Sequence, residues 1–175
     1  MSYTPPPPPD PSAYGVPQTG ARPAELLDRF VARLIDGLLL AVVYVVIGIV
    51  LVSGVLLSGV DSNVAVGFVT TIILVALQLG YFVFLETSRG QTVGKMVMKL
   101  RVLGASGGNP TTEESLKRNI WIAIGLAGFI PVIGLLTGLA QLAAVIAIAV
   151  TISSDTVLRQ GWHDKFAGTR VIKQG

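Results

Sequence analysis

Cysteine is absent from this 175-residue chain, histidine occurs once, and Asp, Glu, Lys and Arg together supply only 13% of the residues. Without cysteine there are no disulfides, thiolate metal sites or cysteine nucleophiles. The single histidine, His163, rules out a multi-histidine metal centre within one chain. An ordinary soluble domain is about 25% charged, so this scarcity of charge, beside 51% hydrophobic residues, is a membrane composition. No nucleophile stands with a base and no ligand set repeats, so neither an enzyme activity nor a cofactor is expected.

The charges that do occur are grouped. All thirteen Lys and Arg fall in three segments, Arg22 to Arg33, Arg89 to Arg118 and Arg159 to Lys173, separated by long uncharged runs. That spacing suits a chain that crosses a bilayer repeatedly and sets its basic segments against anionic lipids. Nucleic-acid binding would need the charges on one folded face and is not expected. Residues 1–20 hold seven of the ten prolines and no Lys or Arg. Residues 1–22 therefore read as a disordered, proline-rich tail, either a solvated tether or a docking segment for a protein partner. Residues 23–175 are left as the transmembrane domain, with Pro23 placed in the first turn of its first helix.

Two runs of 24 uncharged residues, Gly37–Val60 and Ser62–Leu85, flank a polar break at Asp61–Asn63. Each is long enough for a bilayer core that needs about 20 helical residues. Asn119–Ser154 adds 36 uncharged residues, about 54 Å as one helix and too long for a single straight crossing. Two readings remain: one kinked span, or a helical hairpin turning near Pro131. With the amino terminus inside, a three-span chain strands Arg159, Lys165, Arg170 and Lys173 outside, whereas the hairpin returns all thirteen basic residues to the cytoplasmic side. The expected fold is therefore an all-α four-helix transmembrane bundle in the cell membrane, with both termini cytoplasmic and three spans as the alternative. Its helices run over about 24–56, 64–85, 112–130 and 135–154, the third opened by a Thr111/Glu114 capping box. "MVMKLRVL" alternates with a two-residue period and "GTRVIKQ" is β-prone, so a small two-stranded cytoplasmic ribbon between them is possible.

Charged residues at the threshold of the first span invite a chemical reading. On a helix Arg33 lies about 40° from Arg29, and Asp36 about 20° to the other side, so Glu25, Arg29, Arg33 and Asp36 share a stripe. Asp36 is too short to snorkel and needs a partner, with Arg33 three residues earlier the nearest. It either anchors the span through that local pair or faces the bundle interior to bind a cation, relay a proton or meet a distant charge. "GQTVGK" has three residues between its glycines and lacks the Ser or Thr of a phosphate-binding loop. It reads instead as a glycine turn with Lys95 facing lipid phosphates. His163 is either an interfacial hydrogen-bonding residue or a proton-transfer partner of Asp164, and Trp121 and Trp162 suit interfacial anchoring.

"RFVARLID", "GQTVGKMVMKLRV" and "GWHDKFAGTRVI" together resemble the three signature blocks of the RDD family of bacterial membrane proteins, over residues 24–173. The resemblance places the family arginine on Arg29 and its two aspartates on Asp36 and Asp164, with Thr169 in the Gly-Thr that ends the third block. It implies a multi-pass inner-membrane protein for which transport has been suggested, with no substrate named. Arg33 falls at a variable position of the pattern. The candidate charge cluster is thus Arg29, Asp36 and Asp164, supported by Arg33, His163, Lys95 and Thr169.

Overall fold

The computed structural model describes residues 21–58 and 64–175. Residues 1–20 of the proline-rich tail and the Asp61–Asn63 break lie outside those residues. Strand β1 (Arg22–Pro23) leads into α1 (Leu26–Ser58), followed by α2 (Val64–Arg89), α3 (Val93–Val97), β2 (Leu100–Leu103) and α4 (Thr112–Asn119). A 3-10 segment (Ile120–Phe129), α5 (Pro131–Ser154), α6 (Trp162–Ala167) and β3 (Arg170–Lys173) complete the chain.

Among the described residues three helices are long and apolar enough to cross a membrane, over Leu26–Val55, Val66–Arg89 and Ile133–Ser154. Little of their apolar surface is covered by protein. Val45, Ile49 and Val50 on α1 and Leu135, Leu139 and Ile146 on α5 are all exposed, which is stable in acyl chains and not in water. Among the described residues, buried apolar side chains form two clusters. Ala24, Ala32, Leu100, Val102 and Val171 form one. Leu40, Val75, Phe82 and Ile122 form a second, with Tyr81 and Trp121 packed against it.

A small antiparallel sheet of order β1-β3-β2 ties three distant parts of the chain together. Arg101 pairs with Ile172 and Val102 with Val171, while Arg22 pairs with Lys173 on the other edge. The sheet has three strands because Pro23, expected inside the first helix, lies in β1. Its missing N–H is harmless on an edge strand, and Ala24 N donates to Val171 O at 3.0 Å. The ordered chain thus includes Arg22, and α1 starts only at Leu26. Met96 and Val97, read as strand by their alternation, belong to α3. Thr92 caps that helix, its side chain accepting from Lys95 N, and this local cap outweighs β propensity.

The capping box at Thr111 and Glu114 is present and opens α4. α4 is α-helical only to Asn119, and residues 120–129 wind as 3-10 helix, where an α-helix to residue 130 was expected. A 3-10 helix rises about 2.0 Å per residue against 1.5, so residues 112–129 extend about 32 Å. The chain reverses at Ile130, whose backbone is extended, with Pro131 at the first position of α5. The 3-10 segment then lies antiparallel to α5: a Cβ on Gly134 would sit 2.9 Å from the Gly128 carbonyl oxygen, and one on Gly125 3.0 Å from Gln141 Nε2. A Cβ on Gly138, one turn further along α5, would meet nothing within 4 Å.

Thr111→Val removes the side-chain acceptor for Glu114 N and is expected to cost about 1 kcal/mol. A thermal melt of the purified protein in detergent would register this as a small downward shift with no change of oligomeric state.

Candidate functional site

Asp36 is buried on α1 and accepts three hydrogen bonds. Tyr81 Oη donates to Oδ1 at 2.7 Å, Gly94 N to Oδ1 at 2.7 Å and Thr92 Oγ1 to Oδ2 at 2.6 Å. The expected pairing with Arg33 is not made. Arg33 instead lies over the Phe82 ring at 3.8 Å, with Trp121 at 5.2 Å. An i, i+3 pair on a helix is only marginally favourable, whereas a hydroxyl, a phenol and a backbone amide from α2 and α3 saturate the carboxylate. The approach of α3 requires glycine at 94, because a Cβ there would collide with the Ala32 carbonyl oxygen. Gly90, at φ +70, makes the turn that delivers this segment back to α1.

Glu86, one residue past the expected end of the second helix, is fully buried on the last turn of α2. Lys95 Nζ donates to its Oε1 at 2.5 Å, and Ser115 Oγ and Asn119 Nδ2 donate to Oε2 at 2.8 and 3.1 Å. Lys95 therefore points into the protein and not at lipid phosphates. Burial lowers its pKa and Glu86 works against that. Ser115, Arg118 and Asn119 form the buried face of α4. Their i, i+3, i+4 spacing was the signal that could have found them.

Asp164 closes the third knot. Arg29 Nη1 donates to its Oδ2 at 2.5 Å and Gly161 N to the same oxygen at 3.1 Å. Arg118 Nη1 lies 2.6 Å from Oδ1, an ionic contact without hydrogen-bond alignment. Burial works to raise the Asp164 pKa, but Arg118 and Arg29 outweigh it and hold the carboxyl well below the usual range. Arg29 is fully engaged, since Nε and Nη2 also donate to Ala24 O and Arg159 O. Thr169 is buried, accepting from Arg118 at 3.2 Å and donating its N–H to Asp164 O. His163 packs beside the knot with Nε2 3.4 Å from Asp164 Oδ1. Burial pushes its pKa down to about 3, so it is neutral through the physiological range.

The structure thus brings Arg29, Asp36, Asp164, Arg33, His163, Lys95 and Thr169 to one end of the domain and adds Glu86 and Arg118. Glu25 leaves the stripe and forms an exposed pair with Arg22. Trp121 packs on the internal cluster, and Trp162 meets His163 edge-on. A cavity of about 160 Å³ opens among these side chains. Among the described residues no group of His, Asp and Glu is placed to hold a metal ion.

A model of the RDD family matches residues 23–168. The chain belongs to the RDD family. The match covers the helices, strand β2, the second residue of β1 and every carboxylate of the cluster, ending one residue before Thr169. Comparisons with curated proteins and with solved structures find no match. Membership and three apolar helices make this an integral membrane protein.

Two substitutions test how the RDD domain is held together. Arg118→Leu leaves Asp164 and Glu86 short of a cation and is expected to destabilise by about 3–5 kcal/mol, read as a large fall in melting temperature. His163 has a folded pKa below its ordinary 6.5, so protonation favours the unfolded chain. Its contribution is complete above about pH 6.5 and fades as pH falls, by up to about 1.4 kcal/mol per unit. Melting temperature measured from pH 7.5 to 5 should decline in wild type and stay flatter in His163→Gln.

Proposed function

We propose that this RDD protein is a four-span cell-membrane protein with both termini in the cytoplasm, and that it passes an ion or small solute through the charged cavity. The observation that carries the reading is the gathering of ionic side chains from α1, α2, α3 and α4 around one cavity, at the end where α1 begins and α2 and α5 finish. Intramembrane and threshold charges that face inward around a cavity mark pathways more often than they mark structural filler. No catalysis is part of this reading.

Support for four crossings comes from chain parity. β2 and β3 are hydrogen-bonded neighbours, yet α5 alone between them would leave them on opposite faces of the bilayer. In this reading the return is made by the apolar residues 120–129, about 20 Å as 3-10 helix, while α4 stays with the polar cluster that its Ser115, Arg118 and Asn119 join. Winding as 3-10 and not α-helix adds about 5 Å to the reach of so short a segment. With every Lys and Arg on the sheet side, that side is the cytoplasmic one.

A second reading is favoured by the saturation of Asp36. A carboxylate already accepting three hydrogen bonds works well as a structural clasp, and the domain would then be an accessory module whose residues 1–20 recruit a protein partner. Flux measured in proteoliposomes separates the two. Asn at position 36 keeps one carbonyl oxygen for Gly94 N and presents an amide to the Thr92 hydroxyl. Transport predicts that Asp36→Asn retains its melting temperature within a few degrees and loses flux at least tenfold. A module predicts no flux in wild type, with binding of a partner abolished by deletion of residues 1–20. Topology has its own check: a cysteine at position 173 should escape a membrane-impermeant maleimide in intact cells, and labelling there would overturn the four-span arrangement.

A further inference from the structure

Among the described residues the buried ion pairs leave one cation and one carboxylate without a salt bridge. Arg29 and Arg118 pair with Asp164, and Lys95 with Glu86. Asp36 is met by three neutral donors, which leaves Arg33. A buried donor without an acceptor is costly, so that guanidinium marks where a ligand of opposite sign belongs. Arg33 has no ion pair among the described residues, and its Nη2 is buried with no hydrogen-bond partner. The guanidinium is stacked on Phe82, an arrangement that fixes the plane and leaves the N–H edge free, the geometry that takes an oxyanion through two parallel hydrogen bonds.

The cavity beside Arg33 has two kinds of wall. Its polar side carries Arg33, Arg118 and Asn119 together with Asp36 and Glu86, whose carboxylates are already met by donors of the protein, and its apolar side is built by Val145, Ile148 and Ala149 of α5 with Leu26 and Phe30 of α1. Phe30 and Val145 are also exposed on the outer surface. The mouth therefore lies between α1 and α5, on a surface that acyl chains cover when the helices span a bilayer. We infer that this cavity is an oxyanion site, taking a phosphate or carboxylate group on Arg33 with any apolar chain of the ligand running out between α1 and α5. Two sources carry this chemistry, the headgroup of an anionic phospholipid and a free oxyanion, and the apolar mouth suits the first. The inference rests on the cavity and not on transport. A protein that binds the anion without moving any solute leaves it intact while ending the transport reading.

The test is equilibrium binding to the full-length protein in a neutral detergent, followed by thermal shift and calorimetry. The probes are dioctanoyl phosphatidylglycerol, inorganic phosphate, and dioctanoyl phosphatidylcholine as the zwitterionic control. Saturable stabilisation by phosphatidylglycerol alone assigns the lipid headgroup, and stabilisation by phosphate as well assigns a free oxyanion. In either case Arg33→Gln is expected to weaken binding at least tenfold. Ala149→Leu, which narrows the cavity without touching a charge, should weaken it to a similar degree and decides the matter if Arg33→Gln does not fold. No stabilisation by either anion overturns the inference. So does equal stabilisation by phosphatidylcholine, or wild-type affinity in either folded variant.

Discussion

A carboxylate taken out of water must be met by donors, and that requirement organises this domain. Asp36, Glu86 and Asp164 are all fully buried, and each draws its donors from remote parts of the chain. Asp36 reaches 45 residues to Tyr81 and 58 to Gly94, and Asp164 reaches 135 residues back to Arg29. Removing one partner strands a charge whose desolvation is no longer offset. Two of the three knots share a member: Arg118 contacts both Glu86 and Asp164, so α2, α4 and α6 are held by a single guanidinium. Cooperative locking of this kind substitutes for a large apolar core, which a domain with most of its hydrophobic surface turned outward does not have.

The outward turn of the apolar surface explains why the polar interior sits at one end. Between chains of hydrocarbon, apolar side chains gain little from meeting each other, so α1 and α5 present theirs to the outside. Polar contacts and close backbone approaches then supply the specificity. Gly94 against Ala32 lets α3 come near enough for a main-chain amide to reach Asp36, and Gly128 against Gly134 does the same where the 3-10 segment reverses into α5. The sheet β1-β3-β2 adds the constraint that the start, middle and end of the domain meet on one side.

Much of this was legible in the residues alone. Charge spacing and uncharged run lengths gave the long apolar helices, because the thickness of hydrocarbon translates directly into residue number. The Thr111 capping box, the glycine turn at Gly90 and the β-prone character of residues 100–103 and 170–173 are local signals, and local physics is enough to read them. The resemblance of three short blocks to a known family pointed to Arg29, Asp36 and Asp164 as members of one site.

What required tertiary structure is who partners whom. Arg33 stands three residues from Asp36, yet the aspartate is taken by Tyr81, Thr92 and Gly94, because sequence distance says nothing about which donors a fold delivers with better geometry. Glu86 stands just past the expected end of the second helix and is fully buried within it, since α2 continues for one more turn once Lys95, Ser115 and Asn119 are there to receive it. The 3-10 winding of residues 120–129 is likewise absent from any periodicity in their uniformly apolar sequence. Composition and run length report how a chain divides between water and lipid, a property summed residue by residue. The pairing of buried charges depends on directions in space, which exist only after the helices have packed.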